Sequence, residues 1–172
     1  MFAIGQYVVC GNKGVCAVEN VTTLDISGVD KERKYYILKP IYQTGSTLYV
    51  PVDAPGEMRS VMNRQEAEKL VDAIPEIPLL TITNDKLAEQ TYRECMKRGN
   101  CEEWVKLLKT ICVRKQKRLQ AGRKVTALDA KYFQLAEQSL YGELAVALEQ
   151  SREAVESYVA GEISGSASGV RG

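Results

Sequence analysis

The hydrophobic period of this chain changes near Pro55 and Gly56, and that change constrains the fold most. Before it, short apolar and aromatic runs alternate with glycine-bearing turns, which is typical of β-strands: QYVVC, VCAVENVTTLDI, YYILKPIY and TLYVPVD. After it, apolar residues recur at helical spacing, first over residues 63–74. The sequence therefore predicts two modules of different structural class.

The first module, residues 1–58, is predicted to be a small β domain. Its strands are short and their connections carry glycines, which favours a highly bent antiparallel barrel of SH3 or Tudor size. Pro40 cannot donate a ladder hydrogen bond, so its part of the third strand is expected at an edge or a bulge. With the helices that follow, the predicted fold class is α+β.

The second module, residues 59–160, is predicted to be a compact all-α domain. Asn84, Asn100 and Thr126 stand where helix N-caps are expected, and Gly99 stands where a helix would end. The last segment, residues 161–172, reads GEISGSASGVRG. Its glycine- and serine-rich composition predicts a disordered tail.

Composition argues against several functional classes. The chain of 172 residues has no histidine, so Ser-His and Cys-His catalytic pairs are absent, and it has no phosphate-binding glycine motif. We therefore expect no enzyme, no cofactor and no small-molecule substrate. The five cysteines form no C-x-x-C, so reduced thiols are expected rather than a metal site. Neither a membrane span nor a signal peptide is predicted, which favours a cytoplasmic protein.

Charge is unevenly distributed although the net charge is only +1. Residues 100–124 hold eight Lys or Arg against two Glu, whereas residues 125–172 hold three against seven Asp or Glu. The basic run lies at a predicted helix C-terminus, where cations are favoured by the helix dipole and are often only solvated. Phosphate contact is the other interpretation. The candidate DNA-binding residues are Arg114, Lys115, Lys117, Arg118, Arg123 and Lys124.

Trp104 is the sole tryptophan of the chain. It shares a helical stripe with Leu107, Leu108 and Ile111, which favours a core position over an exposed stacking residue.

Three stretches together carry a family resemblance. They are MFAIGQYVVCGNKGVCAVENV, YYILKPIYQTGSTLYVPVD and, near the end of the helical half, LYGELAVAL. In order and spacing the chain resembles the CarD/CdnL family of bacterial RNA polymerase-binding transcription regulators over about residues 1–150. The same β module occurs in the transcription-repair coupling factor.

The resemblance implies a Tudor-like domain that binds the RNA polymerase β subunit by edge-to-edge strand pairing. It also implies a helical domain that meets promoter DNA upstream of the transcription bubble, and a role in stabilising the open promoter complex. The matching polymerase-binding positions are Leu24, Thr47, Leu48, Tyr49, Val50 and Pro51. Members of the family are not enzymes and need no cofactor.

Two departures from the family pattern stand out. Some relatives carry basic residues at the positions of Leu24 and Tyr49, which are uncharged here. The family also places a DNA-wedging tryptophan at the position that Asp85 occupies, and a carboxylate there would repel phosphate. The alternative hypothesis is a Tudor- or KOW-type nucleic-acid module that acts through residues 114–124 without polymerase.

Overall fold

The computed structural model describes residues 1–43, 45–56 and 58–168 of the chain. The chain divides into two compact units, Met1–Val61 and Met62–Gly172. Within the described residues, the first unit carries the β-strands and the second carries the α-helices. The predicted α+β class is confirmed.

The first unit is built on one antiparallel sheet. Its strands are β1 (Tyr7–Cys10), β2 (Val15–Thr23), β3 (Lys34–Pro40), β4 (Leu48–Pro51) and β5 (Met58–Ser60). They lie in the order β4-β3-β2-β1-β5, so β3 is interior while β4 and β5 form the edges.

The sheet is open, so the closed form of the predicted barrel is wrong. The two edge strands, β4 and β5, are four and three residues long and do not pair with each other. The sequence does not predict strand β5, because the hydrophobic period changes to helical spacing after Pro55 and Gly56, shortly before this strand. The pairing of β3 with the edge strand β4 ends at Leu38. Pro40 lies beyond this point, so its missing N–H removes no hydrogen bond between β3 and β4.

One apolar face of the sheet forms the core of the first unit. Tyr36 is buried in this core. Its hydroxyl accepts a hydrogen bond from the Phe2 N–H (3.1 Å), and its ring packs edge-on against the Phe2 ring. The buried members of this cluster are Val8, Cys16, Val18, Tyr36, Leu38 and Met58. Leu48 and Val50 of β4 pack against it, which holds the edge strand on the sheet.

The second unit contains five α-helices in its described part. They are α1 (Arg64–Ala73), α2 (Ala88–Arg98), α3 (Cys101–Gln120), α4 (Ala127–Leu148) and α5 (Arg152–Ser168). Within the described residues, no helix is long and apolar enough to cross a bilayer.

Helix boundaries follow the predicted capping signals. The side chains of Asn100 and Thr126 accept the N–H groups of Glu103 (2.9 Å) and Asp129 (3.1 Å) at the starts of α3 and α4. Gly99 ends α2 in the left-handed conformation, at φ 66°. Asn84 caps a short 3-10 turn, residues 85–87, that leads into α2.

Trp104 is fully buried, so its predicted core role is confirmed. It lies on the α3 stripe with Leu107, Leu108 and Ile111, all at most 2% exposed. The two most extensive helix–helix interfaces in this unit are those of α3 with α4 and of α3 with α5. Helix α3 is therefore the central helix of the second unit.

Helix α5 contradicts the disordered tail that was predicted from residue 161. Composition was misleading there because an apolar stripe at a spacing of four residues continues through the glycines and serines. Val155, Val159 and Ile163 are 1%, 0% and 2% exposed, so burying the stripe stabilises a helix as far as Ser168. Residues 169–172 of the predicted tail lie outside the described part.

A buried lysine joins α3 to the end of α1. The Lys109 ammonium group, 1% exposed, donates to the carbonyl oxygens of Ile74 (2.8 Å), Pro75 (3.4 Å) and Ile77 (2.6 Å). These carbonyls lie at the end of α1 and in the turn that follows, where the Ile74 carbonyl also accepts the Ile77 N–H (3.2 Å). The cation therefore acts as a C-terminal cap. Burial lowers the pKa of Lys109.

A buried carboxylate holds the first residue of the second unit. Glu143 of α4 is fully buried and accepts the Met62 N–H (3.1 Å) on one oxygen and the Cys101 thiol (3.0 Å) on the other. Met62 is thus fixed immediately before the N-cap of α1.

Candidate docking edge and basic helix end

The predicted polymerase-binding stretch lies on an edge strand. Thr47 precedes β4, and β4 covers the other four predicted residues, Leu48 to Pro51. Among the described residues its one neighbour in the sheet is β3, with Tyr49 opposite Ile37 and Val50 opposite Tyr36. One side of β4 is therefore open to a further strand.

The register identifies which backbone groups of β4 face outward. The Val52 N–H donates to the Lys34 carbonyl (3.0 Å), so residues 34 and 52 form a hydrogen-bonded pair. In an antiparallel ladder such pairs alternate. Leu48 and Val50 therefore also bond to β3, whereas the N–H and C=O of Tyr49 point away from the sheet. By the same alternation the backbone groups of Thr47 point outward.

Pro51 ends this open edge. It has no N–H, and its carbonyl accepts a hydrogen bond from the Ala54 N–H (3.2 Å) in the turn that follows. A partner strand can therefore pair with Thr47 and Tyr49 but gains no bond at Pro51.

The side chain of Tyr49 lies on the sheet face opposite the core. It is 50% exposed, whereas its neighbours Leu48 and Val50 turn toward the core cluster. Ile37 and Tyr35 of β3 lie on the same outer face by strand alternation, and both are partly exposed. These three residues, Tyr35, Ile37 and Tyr49, form what we call the outer patch. The role of Tyr35 and Ile37 was not predicted, although alternation within YYILKP would have placed them there.

The charged residues that border the outer patch are paired within the chain. Lys39 contacts Glu19 at 2.9 Å, and Arg33 contacts Asp53 at 2.9 Å. The hydrogen bond to Asp53 raises the pKa of Arg33. The guanidinium carbon of Arg33 also lies 5.8 Å from the centre of the Tyr35 ring. The patch is therefore locally neutral.

Leu24 is separated from β4 by an intervening strand. It follows the end of β2, and β3 lies between β2 and β4, so the strand of Leu24 is not the direct neighbour of β4. The register nevertheless places Leu24 at the sheet end where Tyr35 pairs with Pro51. Leu24 can thus border the docking edge only near its Pro51 end.

The predicted DNA-binding residues are divided by the structure. Arg114 faces inward, where its guanidinium bonds to Asp129 (3.1 Å) and Asp85 (3.0 Å). Asp129 is fully buried and also accepts the Tyr92 hydroxyl (2.8 Å). Burial alone would lower the pKa of Arg114, but the hydrogen bonds to the two carboxylates outweigh it and raise that pKa. Arg114 is therefore a structural residue that joins α3 to α4 and to the start of α2.

Asp85, which the family resemblance matched to a tryptophan position, has a partner within the chain. Its side chain is 84% exposed and accepts from Arg114. Sequence reasoning missed this pair because the two residues lie 29 positions apart on separate elements. The sequence signal for Asp129 is its place three residues after Thr126, and that spacing predicts only a helix-capping feature.

The remaining cations gather at the C-terminus of α3. The chain folds back there, with the Arg123 N–H bonded to the Arg118 carbonyl (2.8 Å) and Arg118 Nε bonded to the Lys124 carbonyl (2.8 Å). This turn brings together the four residues that we call the α3 basic end: Lys117, Arg118, Arg123 and Lys124. In the part of the chain that the structure describes, none of the four makes an ion pair with a side chain.

Lys115, the remaining predicted DNA-binding residue, is exposed and lies near Glu137 of α4. Its charge lowers the pKa of Glu137, but burial has the larger effect and the pKa of Glu137 is raised overall.

Comparison with known families decides the identity of the first unit. Residues 2–62 match the family model described as the CarD-like/TRCF RID domain. The first unit belongs to the CarD-like/TRCF RID domain family. This family comprises RNA polymerase-interacting domains, so the predicted resemblance to CarD/CdnL is confirmed for the β unit. No curated protein matches the chain.

Proposed function

We propose that the chain is a transcription regulator that docks on the RNA polymerase β subunit and modulates the stability of the promoter open complex. The CarD-like domain supplies the interaction with polymerase. The observation that carries the proposal is the open edge of β4, where the backbone groups of Tyr49 face outward. A partner strand would continue the sheet there by main-chain hydrogen bonds.

The proposal explains why uncharged residues suffice at the docking strand. Main-chain pairing depends on the N–H and C=O groups and not on a particular side chain, so it persists when Tyr49 stands where some relatives carry a basic residue. Each such bond replaces bonds to water, and its net contribution is about 1 kcal/mol. With two residues available for pairing, every one of these bonds is expected to matter.

Changing Tyr49 to proline is expected to weaken binding to the polymerase β subunit more than changing it to alanine. Both variants lack the ring, but only proline lacks the outward N–H. Loss of that donor leaves a partner carbonyl unpaired, which corresponds to about tenfold weaker binding. Because the Tyr49 N–H does not bond to β3, proline is tolerated at this edge position. The dissociation constants of the purified full-length variants for the β subunit, measured by calorimetry, give the comparison.

A matched control uses the neighbouring residue. The Val50 N–H bonds to β3, so Val50→Pro is expected to destabilise the first unit. Tyr49→Pro removes no bond to β3, so the circular dichroism of this variant is expected to match that of the parent chain. Equal dissociation constants for the proline and alanine variants of Tyr49 would contradict docking by this edge.

A second function, contact with nucleic acid, is favoured by one observation. The α3 basic end presents four cations without ion-pair partners among the described residues, a density beyond what compensation of one helix dipole requires. We infer that the α3 basic end contacts promoter DNA. Asp85 is not expected to do so, because it is a carboxylate and is paired with Arg114. Nucleic-acid binding without polymerase is the alternative to the docking function.

Changing Lys117, Arg123 and Lys124 together to alanine is expected to shorten the lifetime of the open complex while binding to the β subunit is kept. Three fewer phosphate contacts also reduce the salt slope of DNA binding by about two to three. A matched control changes Lys31, Lys69 and Lys97, three lysines outside the α3 basic end, to alanine. If the two triple variants give the same open-complex lifetime and salt slope, the α3 basic end does not contact DNA.

A further inference from the structure

We propose that the polymerase strand that docks on β4 is uncharged beside Tyr49 and packs an aliphatic or aromatic side chain against the outer patch. This inference rests on the proposed docking function and specifies the chemistry of its partner. It is carried by the position, exposure and local neutrality of Tyr35, Ile37 and Tyr49.

The first step is geometric. A strand added to the edge of β4 continues the pleat, so every second side chain of that strand lies on the face of Tyr49. Directly opposed side chains on neighbouring strands have Cβ atoms about 4.5–5.5 Å apart and are in contact. A partner side chain must therefore lie beside the half-exposed ring of Tyr49.

The second step concerns burial. Tyr49 is 50% exposed without a partner, and the neighbouring Ile37 and Tyr35 are also partly exposed. An apolar partner side chain would remove this aromatic and aliphatic surface from water. The open edge offers backbone groups of only Thr47 and Tyr49, because Pro51 is closed to pairing. Side-chain burial would therefore add to the affinity that this short ladder of main-chain hydrogen bonds supplies.

The third step concerns charge. Lys39 is paired with Glu19, and Arg33 is paired with Asp53, so these charges already have partners within the chain. Among the described residues around β4, Gln43, Ser46 and Thr47 are uncharged. A charged partner residue would lose hydration at Tyr49 without gaining an opposite charge, which is unfavourable. The patch thus selects against charge and for an apolar residue.

The test measures how salt affects the binding of the full-length chain to the RNA polymerase β subunit. Exposed charge pairs are screened at high salt, whereas apolar contacts are not. The dissociation constant is expected to change by less than about threefold between about 50 and 500 mM NaCl. Tyr49→Phe is expected to bind like the parent, and Tyr49→Lys is expected to bind at least about tenfold more weakly.

Two outcomes overturn the inference in distinguishable ways. If binding weakens by about tenfold or more over this salt range, or if Tyr49→Lys binds as tightly as the parent, the partner face is charged and the docking function itself stands. If the β subunit does not bind at any salt concentration, the docking function fails and the inference fails with it. Circular dichroism of Tyr49→Lys establishes that the exposed substitution leaves the fold intact.

Discussion

Changing Asp129 to alanine is expected to lower the free energy of unfolding of the helical unit by about 3–5 kcal/mol. The carboxylate is fully buried and bonds to Tyr92 and Arg114. Its removal leaves the buried Tyr92 hydroxyl without this acceptor. Among the described residues, Asp85 then remains as the carboxylate partner of the Arg114 guanidinium. Losing one partner of a buried ionic contact is costly because the other group stays desolvated.

Urea unfolding monitored by tryptophan fluorescence measures this effect in the correct unit, because Trp104 is the only tryptophan and lies in α3. The matched control is Asp85→Ala. It removes the other carboxylate bound to the same guanidinium, but from an 84% exposed side chain, so a loss below about 1 kcal/mol is expected. Similar losses for the two variants would contradict the structural role assigned to Asp129.

Much of the fold could be predicted because local signals agree with long-range packing. The switch from strand to helix period places the boundary of the two units near residue 60, and side-chain caps at Asn100 and Thr126 fix two helix starts. Helix α5 could not be predicted from composition, because its glycines and serines favour disorder. Its apolar stripe becomes decisive only when it is buried.

The candidate site could be predicted less completely. The sequence places an apolar strand before Pro51, but the outward direction of the Tyr49 N–H depends on the register with β3, which follows from pairing across the chain. The basic run at 114–124 is visible in the sequence, yet the separation of Arg114 from the others depends on Asp85 and Asp129, which are distant or on another helix. Long-range ion pairs of this kind leave no local pattern.

The structural partner of Asp85 also changes how the family departure is understood. A wedge residue must be unengaged and apolar, whereas Asp85 ties the turn before α2 to Arg114. At the position where the resemblance predicted a DNA wedge, the chain thus holds a carboxylate that is paired with Arg114. The DNA contact that we propose therefore involves the α3 basic end.

Hydrogen exchange of single backbone amides tests the docking edge most directly. In the free chain the amides of Leu48 and Val50 are expected to exchange slowly because they bond to β3, whereas the outward amide of Tyr49 exchanges fast. Addition of the RNA polymerase β subunit is expected to slow exchange at Tyr49 by on the order of a hundredfold. Leu48 and Val50 serve as internal controls that are protected in both states. A complex that forms while the Tyr49 amide keeps its fast exchange would contradict docking by strand pairing at β4.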